Sequence, residues 1–113
     1  MARSYMRGTC GFKEAEAFLI KEIPESGVTC ELCDQTCHTV GDVHVTVLVY
    51  EKYFMRTSNY ASLTLVLFGR DGDIGVDIIG AGGKSGVLSM TSWGAEEKFV
   101  SSAVRVLSGH GFR

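Results

Sequence analysis

The chain has 113 residues, 45% of them hydrophobic and 21% charged, with a formal net charge of −2, which suits one globular domain able to bury its own core. Its lysines and arginines are dispersed, so no basic stripe recruits nucleic acid, and no run approaches the about 18 apolar residues of a membrane span. Met1 to Gly11 holds Arg3 and Arg7 without an apolar stretch, so no signal peptide is expected, and the four cysteines are expected as free thiols in a cytoplasmic protein.

In chain order, Phe12, Ala15, Leu19 and Ile23 recur at helical spacing, and Pro24 is expected to stop that helix at Ile23. From Gly27 the period changes to two. Val28, Cys30 and Leu32 alternate with Thr29, Glu31 and Cys33, a first strand whose end the pattern leaves open. After the Gly41-Asp42 turn, Val43 to about Arg56 is rich in β-branched and aromatic residues, a second strand. Thr57-Ser58-Asn59 reads as the next turn, and Ala61, Leu63, Leu65 and Leu67 line one face of a third strand. Asp71-Gly72 predicts a tight hairpin into a fourth, Ile74 to Ile79. Val87 to Met90 offers a short fifth strand. Ser92 is the expected N-cap of a last helix, with Glu96 and Glu97 in its first turns and Phe99, Val100, Ala103, Val106 and Leu107 as its apolar arc. Ser108-Gly109 ends it.

This order predicts an α+β two-layer sandwich: a four- or five-stranded, mainly antiparallel meander with the N- and C-terminal helices on one face. The second face is expected to carry Leu48, Tyr50, Phe54, Val66 and Phe68 among polar neighbours. A half-apolar, aromatic face fits a homodimer interface, a shallow ligand groove or a surface covered by loops and the N-terminal arm; the homodimer is the leading expectation.

Three constellations bear on chemistry. Gly80-Ala81-Gly82-Gly83-Lys84-Ser85-Gly86 precedes a helix start, a place where backbone N–H groups converge on an anion. It matches no named phosphate loop, because the glycine required before Gly83-Lys84-Ser85 is Ile78, and Ser85 breaks a dinucleotide fingerprint. A small anionic ligand would be held there by Arg56, Gly80, Gly82, Gly83, Lys84 and Ser85, with Trp93 as a wall or, more simply, as a staple of helix to sheet. Cys30, Cys33, Cys37 and His38 offer three thiolates and an imidazole, a valid zinc set. The alternative reading is therefore a zinc-binding module, with no cofactor in the leading one. Extended geometry opposes it, placing Cys30 on one side and Cys33 and Cys37 on the other. His44, Glu51, Asp73 and Asp77 supply a base and carboxylates, but no nucleophile motif accompanies them, so an enzyme of unknown reaction ranks third.

Glu51-Lys52-Tyr53-Phe54-Met55-Arg56 with Ser58 to Thr64, and Gly80-Ala81-Gly82-Gly83 followed by Ser92-Trp93-Gly94-Ala95-Glu96-Glu97, resemble a family of small uncharacterised bacterial single-domain proteins. That resemblance spans the C-terminal two thirds and implies a bacterial cytosolic protein. It brings no catalytic residue, and the cysteine cluster lies outside the pattern.

Overall fold

The computed structural model describes residues 2–55, 58–82 and 94–113. They form β1 (Ala2–Gly8), α1 (Phe12–Glu25), β2 (Glu31–Val40), β3 (Val43–Phe54), β4 (Asn59–Arg70), β5 (Asp73–Gly82) and α2 (Ala95–Gly109). The five strands make one open sheet in the order β1-β5-β4-β3-β2, every neighbouring pair antiparallel. The chain is thus an α+β protein, with the predicted meander running from β2 to β5.

Tight connections set the meander. Gly41 takes φ 64° between β2 and β3, and Gly72 takes φ 88° between β4 and β5, backbone states that cost glycine little. Asp71 accepts a hydrogen bond from the Phe12 N–H at 2.8 Å, so the same hairpin also holds the first turn of α1.

Several boundaries depart from expectation. β1 is a full edge strand rather than a loose arm: Ala2, Ser4, Met6 and Gly8 alternate inward, and each residue from Ala2 to Gly8 pairs with β5. The predicted fifth strand, Val87 to Met90, and the Ser92 cap lie outside the described residues; Gly94 occupies the N-cap position of α2 with φ 93°. α1 continues through Pro24 to Glu25, because proline forfeits only one bond in the last turn and the Ser26 N–H and hydroxyl close onto the Ile23 carbonyl at 3.0 and 2.6 Å. β2 begins at Glu31, not Gly27, and Val28 stands fully exposed before it. β2 then runs past Asp34 to Val40, with a bulge between Leu32 and Asp34.

The core lies on one face. Tyr50, Leu63 and Gly80 stand side by side across β3, β4 and β5. The Tyr50 hydroxyl donates to the Leu19 carbonyl of α1 at 2.8 Å, while a Cβ added at Gly80 would meet Val100 Cγ2 at 2.8 Å and the Glu96 carbonyl at 2.9 Å. Both helices therefore cover the same side. Leu48, Leu65, Leu67, Ile74, Val76 and Ile78 are completely buried beneath them with Phe99 and Leu107. The C-terminus closes the fold: His110 stacks on Phe18 at 3.7 Å between ring centroids and reaches Glu22 at 3.0 Å.

Candidate functional site

The face away from the helices carries the opposite set of side chains. On β3 these are Val43, Val45, Val47, Val49, Glu51 and Tyr53; on β4, Tyr60, Ser62, Thr64, Val66 and Phe68. β5 adds Gly75, Asp77, Ile79 and Ala81, and β1 adds Arg3, Tyr5 and Arg7. Tyr5 stacks with Phe68 at 6.2 Å, and a Cβ at Gly75 would collide with Phe68 at 2.7 Å and the Tyr5 hydroxyl at 2.9 Å. Glycine at this position lets the aromatic pair lie flat on the sheet. Tyr53 and Tyr60 form a second pair at 5.0 Å. The valines, Ile79, Val66 and Phe68 remain half-exposed, because no helix among the described residues crosses this side.

This outer face is not the set expected from sequence. Leu48 and Tyr50 are completely buried under α1, and Phe54 packs on Phe99 of α2 at 6.2 Å, so these three belong to the core side. Only Val66 and Phe68 lie on the open side. The β3 parity is inverted, and its four valines replace Leu48, Tyr50 and Phe54 there.

Of the proposed anion site, Arg56, Gly83, Lys84, Ser85 and Trp93 lie outside the described residues. Gly80 and Gly82 are explained by packing. α2 sits so close that a Cβ at Gly82 would stand 2.7 Å from Glu96 Oε1. Glu96 is itself buried, so an anion at the end of β5 would face a carboxylate.

The cysteine set is spread out by β2. Cys30 is buried against the core, Cys33 sits at the bulge beside Glu51, Cys37 turns toward α1, and His38 pairs with Val45 on the open side. Four residues of strand separate Cys33 from Cys37 by about 13 Å. The bulge also puts these two on opposite sides, not on the shared one expected. Among the described residues no group of three or more His, Cys, Asp or Glu could hold a metal ion. Burial raises the Cys30 and Cys10 thiols above the usual range, and desolvation followed by Glu51 raises Cys33. His44, Glu51, Asp73 and Asp77 do not converge either: His44 lies on the α1 side, Asp73 holds Arg7 at 2.5 Å, and Glu51 and Asp77 point outward.

One feature escaped the sequence reading: a groove of about 460 Å³ under the start of α1, lined in part by Phe12, Lys13, Glu16, Cys37, His44 and Thr46. Thr46 occupies a core-side position of β3 and is only 1% exposed. Its hydroxyl donates to Glu16 Oε2 at 2.5 Å, which also accepts from Cys37 Sγ at 3.6 Å. Thr39 meets His44 Nδ1 at 3.1 Å, and His44 packs on Phe12 at 5.2 Å. Among the described residues no buried side-chain nitrogen or oxygen lacks a partner, so these polar groups satisfy one another and seat the helix. The signal was present in the sequence as polar His44 and Thr46 on the parity of Leu48 and Tyr50.

The chain is thus an α+β protein in which, among the described residues, helices cover one sheet face and leave the other bare. The chain belongs to DUF6054, a family of unknown function, whose model matches residues 1–111. No curated protein and no solved structure matches it. Among the described residues, no helix is long and apolar enough to cross a membrane.

Proposed function

We propose that this protein is a non-enzymatic, bacterial cytoplasmic homodimer that associates through the bare face of its sheet. The observation that carries the reading is the row of Val43, Val45, Val47 and Val49 beside Val66 and Phe68, half-exposed on the side opposite both helices. Solvated sheet faces alternate to polar residues, whereas this one keeps β-branched and aromatic side chains. β4 has 12 residues in a sheet five strands wide, so at about 3.4 Å per residue and about 4.8 Å between strands the face projects on the order of 700 Å². A standard interface takes about 800 Å² from each partner. Four free thiols support a reducing compartment. The bacterial source rests on the resemblance drawn from the sequence.

Sedimentation over a wide range of protein concentration tests this. A dimer mass is expected for the wild type, and a monomer with unchanged circular dichroism for the double variant Val47→Asp, Val66→Asp. A wild type that stays monomeric throughout, or a dimer indifferent to both substitutions, would overturn the reading.

A further inference from the structure

The strand register fixes which residues share a level on the bare face. One cross-strand row reads Arg3, Ile79, Thr64, Val49, Asp34, from the β1 edge to the β2 edge. The next reads Tyr5, Asp77, Val66, Val47, Thr36. The valine-rich middle is therefore flanked by a basic edge and an acidic one. Arg3 and Arg7 stand on β1, and Asp34 and Glu31 on β2. Arg7 is engaged by Asp73. Arg3 and Asp34 are both exposed, and neither has an ion-pair partner among the described residues.

Two copies packed face to face and related by a two-fold need an axis lying between the sheets. An axis across the strands puts β1 over β1 and β2 over β2, so arginines oppose arginines and carboxylates oppose carboxylates. An axis along β4 keeps every row level with itself and exchanges its ends. Arg3 then stands opposite Asp34 of the partner subunit, twice in the dimer, and Val66 meets its own copy at the axis. Aligned sheets are offset by about −30°, which slides the facing edges past each other by about 5 Å, within the reach of an arginine side chain. The open-side neighbours of Asp34 on that edge are Glu31, also acidic, and Thr36, which is neutral.

We infer that the two subunits are related by a two-fold along β4, with Arg3 of each paired to Asp34 of the other. This rests on the bare face being the interface and adds its orientation and its partner-specific contact. Like charges set opposite each other disfavour the wrong geometry more strongly than the right pair adds affinity.

A charge-exchange cycle read by sedimentation tests the inference. Arg3→Glu alone and Asp34→Arg alone are each expected to weaken dimerisation by about fivefold at low salt, and the double exchange to restore it. Circular dichroism and melting of each variant confirm that these exposed substitutions leave the fold intact. An Arg3→Glu variant that dimerises as tightly as the wild type would overturn the pairing. A double exchange weaker than either single would also overturn the pairing. In both cases loss of the dimer in Val47→Asp, Val66→Asp would leave the interface itself standing. A dimer that survives those two substitutions would instead remove the face, and the orientation with it.

Discussion

Tyr50→Phe deletes one hydroxyl from the fully buried side chain that ties β3 to α1. The lost donor is the 2.8 Å hydrogen bond to the Leu19 carbonyl, a loss of about 1 kcal/mol near neutral pH. For a domain of this size that lowers the melting temperature by about 5 °C. Burial raises the Tyr50 phenol well above its ordinary value. The folded pKa therefore exceeds the unfolded one of about 10. The associated stability is fully present below the unfolded value and drains away as pH climbs above it. Wild type should lose about 1.4 kcal/mol relative to Tyr50→Phe between pH 8 and pH 11, and the two stabilities should meet at about pH 10.6. Urea unfolding at fixed protein concentration, repeated across that range, reads this directly, since all other titrating groups are common to both chains and cancel. A difference that stays constant from pH 8 to 11 would refute the argument, because a hydroxyl facing solvent ionises equally in both states. It would also refute the assignment of the β3 faces, and with it the identity of the bare one.

Gly80→Val should destabilise the fold by about 1–3 kcal/mol in urea melts, because its branches press on the Glu96 carbonyl, which belongs to helix backbone and cannot rotate aside. Asp77→Asn should tighten the proposed dimer in sedimentation, since Asp77 is a carboxylate on an interior strand of the bare face and association strips it of water. Under native conditions Cys33 and Cys37 should react with a maleimide while Cys30 stays unlabelled until urea is added, as read by intact mass, because Cys30 is packed in the core.

Element types and hairpins were legible because they depend on local chemistry: Gly41 and Gly72 mark their turns, and the valine run marks β3. The faces of β3 were not, because both of its parities are apolar. Valine fills the odd positions, and leucine, tyrosine and phenylalanine fill even ones. Parity then rests on the turn into β4. A three-residue turn at Thr57-Ser58-Asn59 pairs odd positions with odd, so the valines join Leu63 and Leu65 in the core. In the structure Phe54, the last residue of β3, pairs with Asn59, the first of β4, and hence Leu48 pairs with Leu65. One residue of turn length exchanges the whole face. β1 was missed for a different reason. Met6 is its one large apolar inward residue, and pairing with β5 rather than sequence pattern makes it a strand.

The edges of the sheet favour the face as the surface for the proposed association. An open five-stranded sheet offers two rows of unpaired backbone groups, each a template for adding a strand. On β1 the template is partly used: the Arg7 N–H donates to the Arg113 carbonyl at 2.8 Å, and the Arg113 N–H returns a bond to Arg7 at 2.9 Å. Phe112 closes over Gly8 behind that bridge. On β2 the bulge at Leu32/Asp34 breaks the ladder, and the strand beyond it is exposed and largely polar. Bulges and charges at an edge disfavour register-matched pairing, so neither edge presents the long, flat, apolar strand that edge-to-edge assembly selects. The apolar surface lies between them, bounded by Arg3 on one side and Asp34 on the other. In the proposed dimer those charges stay at the edges and set how the two faces align. The proposed dimer closes with one partner copy and stops, because the two-fold that joins the faces consumes both of them.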